Sequence, residues 1–146
     1  MHNSSLYDEK TFYDQFIADL KNCKEEVIIE CPFITSARIQ IFYPLFEKLL
    51  RKNVRIYIMT RDPQKHTEPY KNQSEHAIQM FEHMGVQPLI CTGNHHRKLA
   101  ILDRKVLWEG SLNILSQIHS RKIMRRIDSK EITLEMFHFL NFARFL

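Results

Sequence analysis

His96-Arg97-Lys98-Leu99-Ala100-Ile101-Leu102-Asp103, followed by Gly110-Ser111-Leu112-Asn113, is the stretch on which the reading of this chain turns. Residues 97–103 are short, carry apolar Leu99, Ile101 and Leu102, and are bounded by turn-forming residues, the pattern of a strand. Val106, Leu107 and Trp108 read as a second strand, with a tight turn between the two. Side chains two apart on a strand share a face, so His96 and Lys98 point the same way. A two-residue loop at Arg104-Lys105 pairs Asp103 with Val106 and Ala100 with Glu109. It places Lys98 opposite Ser111 and His96 opposite Asn113, so that all four converge on one spot. A loop one residue longer breaks that register.

Such a spot suits phosphate chemistry. Lysine and asparagine donate to non-bridging phosphate oxygens. A neutral imidazole can attack phosphorus or exchange protons near neutral pH. The constellation needs no metal and no cofactor. The plain alternative is a half-exposed hairpin carrying an ordinary histidine and lysine. The full pattern resembles the phospholipase D superfamily, whose motif is His-x-Lys, four residues, Asp, then a Gly-Ser-x-Asn element. His96, Lys98, Asp103, Gly110, Ser111 and Asn113 match all of it. The resemblance implies a two-step reaction, in which one histidine attacks phosphorus and a second protonates the leaving oxygen. Water then resolves the phosphohistidine. Lys98 and Asn113 would stabilise the charged transition state, Ser111 would assist at the phosphate, and Asp103 would orient neighbouring groups.

Composition bounds the rest. The 146 residues, 44% apolar, read as one domain spanning residues 1–146. Cys23, Cys31 and Cys91 lack metal-ligand spacing and suit a reducing cytoplasm, and the polar start, residues 1–5, does not look like a signal peptide. No apolar run approaches membrane-spanning length. The net charge is only +4, but residues 92–127 hold eight Lys/Arg against Asp103 and Glu109. A basic half around a phosphate-handling motif points to nucleic acid, DNA or RNA, as partner. Arg97, Arg121, Lys122 and Lys65 are the candidate contacts.

Along the chain, Phe12, Phe16, Ile17 and Leu20 have helical spacing within residues 7–23. Val27-Ile28-Ile29 is a buried strand ending near Pro32. Thr35 or Ser36 caps a helix reaching about Lys52, with Pro44 inside it predicting a kink or a late start. Residues 54–59 are a strand, completing a parallel strand-helix-strand crossover. Residues 61–74 form a polar loop containing Lys65 and His66. A helix then runs to Met84, closed by Gly85, and Pro88 limits the pairing of the next strand, residues 86–91, to one side or to its start. The turn Thr92-Gly93-Asn94 presents His95 and His96. Residues 121–127 read as the last strand and, with Asp128 or Ser129 as cap, a helix follows from Lys130. Its Ile132, Leu134, Met136, Phe137 and Leu140 mostly face the core. The expected fold is α/β, a mixed β-sheet flanked by helices on both faces; the specific phospholipase D-like arrangement comes from the resemblance.

Two expectations follow from the resemblance. The two-histidine mechanism needs two motifs and the chain has one, which implies a homodimer with a shared active site. Many phospholipase D-like nucleases also carry a carboxylate about ten residues after the Gly-Ser-x-Asn element. Here that region reads His119-Ser120-Arg121-Lys122-Ile123, with no acid between Glu109 and Asp128. A side chain there that points to solvent or to nucleic-acid phosphate changes little, but if Arg121 or, in better keeping with the apolar Ile123-Met124 that follows, Lys122 stands where that acid would be, the imidazole loses its orienting acceptor and gains a neighbouring cation. The chain then binds nucleic acid but cleaves it slowly. The alternative functions are a catalytically weak nucleic-acid-binding module of a helicase or restriction system, and a phospholipid phosphodiesterase.

Overall fold

Val27, Ile28 and Ile29 are fully buried and decide where the sheet has its centre. In the computed structural model, which describes residues 3–93, 95–116 and 120–146, they lie in β2 (Glu26–Glu30). Around it the chain builds β1 (Asn3–Asp8), α1 (Phe12–Lys21), α2 (Ser36–Arg51), β3 (Arg55–Arg61), α3 (Tyr70–Met84), β4 (Gln87–Cys91), β5 (Leu99–Leu102), β6 (Val106–Gly110), β7 (Ile123–Asp128) and α4 (Lys130–Phe139). The seven strands are ordered β1-β7-β6-β5-β2-β3-β4. β2, β3 and β4 run parallel to one another; every other pairing is antiparallel.

Alternation along β2 feeds two cores. Val27 and Ile29 face Phe12, Phe16, Phe42, Phe46 and Phe81 from α1, α2 and α3. Ile28 faces the other way, onto Leu107, Ile127 and Phe137 beneath α4. Helices therefore cover both faces of a mixed sheet, three on one side and one on the other. The crossover β2-α2-β3 is parallel, as its spacing predicts. α2 runs unbroken through Pro44, which sits on its exposed side away from buried Ile39, Phe42, Phe46 and Leu49. Pro88 is tolerated because β4 is an edge strand bonded to β3 alone. Gly85, at φ 104°, closes α3, and Ser129 Oγ caps α4 by accepting the Ile132 N–H at 3.2 Å. On α4 the buried positions are Thr133 and Phe137, while Ile132, Leu134, Met136 and Leu140 are half-buried. No helix among the described residues is long and apolar enough to cross a membrane.

The loop expected over residues 61–74 ends early, because α3 already begins at Tyr70. Two further readings of the sequence need correction. β1 has no counterpart among the expected elements, because its residues are nearly all exposed and show no apolar alternation; pairing with β7 alone makes it a strand. The β5–β6 register is also shifted by one: Leu102 pairs with Val106, Ala100 with Trp108 and Leu99 with Glu109. The turn is centred on Asp103 and Arg104, both left-handed at φ 53° and 54°, and closes from the Lys105 N–H to the Leu102 carbonyl at 3.0 Å. Asp tolerates that conformation better than most residues. Its carboxylate is also recruited by the backbone N–H groups of Lys24, Glu25 and Glu26, each at 2.9 Å. The loop therefore has three residues, and Lys98 stands level with Gly110 instead of Ser111.

Candidate active site

The parallel strands β2, β3 and β4 end at the same edge of the sheet where β5 begins, β6 ends and β7 begins. The segments joining those ends gather the polar side chains. His96 precedes β5 in an extended segment and is exposed, while Lys98 is half-buried one residue before the strand. Lys98 Nζ donates to the His96 carbonyl at 2.9 Å, which holds the ammonium beside the imidazole's own backbone.

Gly110 marks where β6 crosses tightly onto β7. A Cβ there would sit 2.2 Å from the Ile123 carbonyl oxygen and 2.8 Å from Met124 Sδ, so only glycine fits. Ser111 completes the joint. Its N–H donates to the Ile123 carbonyl at 2.9 Å, and its Oγ accepts the Ile123 N–H at 3.0 Å. Beyond it the chain dips inward. Asn113 is buried, and its Oδ1 has no hydrogen-bond partner among the described residues. The Tyr13 hydroxyl fixes this segment by donating to the Ile114 carbonyl at 2.8 Å, and the Thr35 N–H donates to the Leu115 carbonyl at 2.9 Å.

The Gly110 N–H donates to the Lys98 carbonyl at 3.3 Å, so the two halves of the motif meet where β5 and β6 pair. Burial pushes the thiol of Cys31, just past β2, up to about 11, opposed by the backbone amides of Leu115, Phe33 and Ile114 and by the charge of Lys98. The structure brings His96, Lys98, Ser111 and Asn113 to one edge by this route, although the shifted register removes the direct cross-strand pairing.

Asp103 is not brought there. It lies at the far end of β5, five residues from Lys98 or roughly 17 Å along an extended strand, and its carboxylate holds the entrance to β2. Among the candidate nucleic-acid contacts, Arg97 is committed to buried Glu30, whose Oε1 accepts from its Nε. Lys65 and Arg121 are exposed. Lys122 is half-buried, and its backbone N–H donates to Glu9 Oε1 at 2.9 Å. Asn94 of the expected turn and His119 lie outside the described residues.

Glu30, Arg38 and Tyr13 at this edge escaped the sequence reading, whereas His95, presented beside His96 in the turn, did not. His95 Nε2 lies 3.3 Å from Glu30 Oε1 without hydrogen-bond geometry, the oxygen being taken by Arg97. Burial, then the charges of Arg97, His96 and Lys98, push the His95 imidazole down to about 4. Burial raises the Glu30 carboxyl, with the Arg97 hydrogen bond and charge opposing. His95 is thus buried with a suppressed imidazole, whereas His96 is exposed. Arg38, in the first turn of α2, stacks 3.7 Å over the Tyr13 ring, and its buried Nε has no hydrogen-bond partner among the described residues. A cation in a helix's first turn opposes the macrodipole, a signal the sequence carried. Among the described residues no group of three or more His, Cys, Asp or Glu is placed to hold a metal ion.

The family described as cardiolipin synthase, phospholipase D-like domain, matches residues 16–140. The chain belongs to the phospholipase D-like family. None of the curated proteins matches it in sequence. Among solved structures, NucT from Helicobacter pylori superposes with a TM-score of 0.71 at 16% identity, covering 95% of this chain and 93% of that one. Nuc from Salmonella typhimurium, described as a phospholipase D family member, gives 0.76 at 10% identity, covering 95% and 91%. TrmBL2, described as an archaeal chromatin protein with a novel mode of DNA binding, gives 0.65 at 9% identity, covering 96% of this chain and 51% of its own. At such identities these likenesses bear on the fold. The chain accordingly has the phospholipase D-like fold within the phosphodiesterase superfamily, and its His-x-Lys and Gly-Ser-x-Asn elements stand at one edge of that fold.

Proposed function

We propose that the chain is a metal-independent phosphodiesterase acting on nucleic acid, a nuclease, and that it needs no cofactor. The observation that carries this is the exposed His96 imidazole with Lys98 and buried Asn113 at the same edge. His96 attacks phosphorus, the P–O bond to the leaving oxygen breaks, and a phosphohistidine forms. A second histidine protonates the leaving oxygen and then deprotonates the water that hydrolyses the intermediate. The described residues offer no second exposed imidazole on a matching motif, so the partner histidine is His96 of a second copy. A homodimer with one shared site follows. Lys98 and Asn113 stabilise the developing charge, and exposed Lys65 and Arg121 draw in the polyanion. A cytoplasmic location fits three free thiols and this substrate.

The second reading is a binding module that cleaves slowly. Lys122, standing just before β7, is the observation that favours it, and the fold likeness to a DNA-binding chromatin protein accords with it. Plasmid and oligonucleotide cleavage with EDTA present, alongside a gel-shift assay, separates the two. Cleavage that survives EDTA and is lost in His96→Ala supports the nuclease. Binding without cleavage supports the module. Cleavage restored only by a divalent ion refutes the mechanism, and hydrolysis of phospholipid vesicles instead of nucleic acid moves the substrate class to lipid.

A further inference from the structure

Phe33 follows the turn that ends β2, and three rings gather on it. His66 lies at 4.9 Å between centroids and 34° between planes, Tyr70 at 5.4 Å and 61°, and His96 at 6.4 Å and 51°. Their exposure is graded. His66 is buried, Phe33 and Tyr70 are half-buried, and His96 is open to solvent. The cluster is thus a shelf backed by His66 that opens toward His96. Burial and then the Arg61 charge lower the His66 imidazole below its ordinary range, with the Pro32 carbonyl and Asp62 opposing, so its ring is uncharged near neutrality. Its Nε2 is buried with no hydrogen-bond partner among the described residues, a polar atom left over in an otherwise packed group. Exposed Lys65 and half-buried Arg61 and Lys98 border the same end of the sheet. Aromatic faces set among cations are how proteins hold single strands, because every base has a π-face while a duplex keeps its faces stacked.

We propose that Phe33 and Tyr70 receive an unpaired nucleobase next to the phosphate held at His96, so that single-stranded nucleic acid is the preferred substrate. This rests on the nucleic-acid reading above and sharpens it. Charge alone favours the duplex, whose phosphates are denser, and treats an intact strand and an abasic one alike, so affinity lost on removing the bases is diagnostic of stacking.

The test compares fluorescein-labelled probes of about ten nucleotides: oligothymidylate, its ribose counterpart oligouridylate, a fully abasic strand with the same phosphates, and a duplex. Wild-type protein is expected to bind oligothymidylate more tightly than the duplex, and about 5- to 150-fold more tightly than the abasic strand for each base stacked. Comparing the thymidine and uridine strands tells DNA from RNA. Phe33→Leu should bring the thymidylate affinity down toward the abasic one, and Tyr70→Leu provides an independent variant should the first not fold. Equal affinity for thymidylate and abasic strands, or a preference for the duplex, overturns the shelf while leaving nucleic-acid binding intact. Failure to bind any of the four probes overturns the nucleic-acid reading itself.

Discussion

Replacing Asp103 should damage the fold and spare the site. Its carboxylate receives the N–H groups of Lys24, Glu25 and Glu26, each at 2.9 Å, while its backbone sits at φ 53° in the centre of the β5–β6 turn. The bonds to Lys24 and Glu25 are exposed, so water replaces them at about 0.5 kcal/mol each, whereas the half-buried Glu26 N–H loses a charge-assisted bond worth about 1.5–3 kcal/mol. Alanine in the left-handed region adds about 1 kcal/mol. Asp103→Ala should therefore cost about 3.5–5 kcal/mol. Asp103→Asn keeps the backbone preference and one acceptor oxygen and should cost about half as much. With a urea m-value of about 2 kcal/mol/M, the alanine variant's unfolding midpoint falls by roughly 2 M. The assay is urea denaturation followed by tryptophan fluorescence, with oligonucleotide binding measured on the same preparations in buffer. An Asp103→Asn protein with an unchanged midpoint that no longer binds or cleaves would refute the reasoning and return the residue to the active site.

Lys122→Glu should raise the cleavage rate while slightly weakening binding; brisk cleavage by the unmodified chain with no gain in the variant would show the lysine to be harmless. His95 is held near 4 when folded and titrates near 6.5 when unfolded, so between those values the unfolded state binds more protons and stability rises with pH. Relative to His95→Gln, the natural chain should gain about 3 kcal/mol from pH 4 to pH 7, read from urea midpoints at both ends; the Glu30 carboxyl, raised by burial, contributes the opposite slope to both proteins. A pH-independent difference between them would show that His95 is not held neutral. Gly110→Ala puts a methyl carbon 2.2 Å from the Ile123 carbonyl oxygen and should cost about 3 kcal/mol or more, with Ser111 pulled off Ile123 and oligonucleotide binding reduced; a midpoint within 0.5 kcal/mol of the natural chain would contradict the close approach.

Most of the fold could be read in the residues because most strands bury apolar runs and the helices bury spaced ones. Val27-Ile28-Ile29 could hardly be anything but a central strand, and Pro88 announced an edge. β1 was invisible for the opposite reason: Asn3-Ser4-Ser5-Leu6 has no face to bury and owes its conformation to a partner 125 residues later, Asn3 pairing with Asp128. The hairpin register was missed because it was set from outside the hairpin. Backbone N–H groups at the entrance to β2 capture Asp103, and no local pattern in residues 97–108 records that. In the site, His96, Lys98, Ser111 and Asn113 were legible as a motif. Arg38, Tyr13, Glu30, Phe33 and His66 were not, since each is scattered in sequence and assembled only by strand ends meeting at one edge.

The pairing of β1 with β7 sets a schedule for assembly. β1 and β7 are the first and last strands among the described residues, so the loop that their pairing closes is the longest in the sheet. Contacts of such sequence separation form slowly, after the local β2-α2-β3 unit has had time to dock. Ser111 and Lys122, with Glu9 just past β1, all sit on this late-closing seam. A folding chain would thus form its central sheet, Lys98 included, before the corner that holds Ser111 against Ile123 and Lys122 against Glu9 is closed.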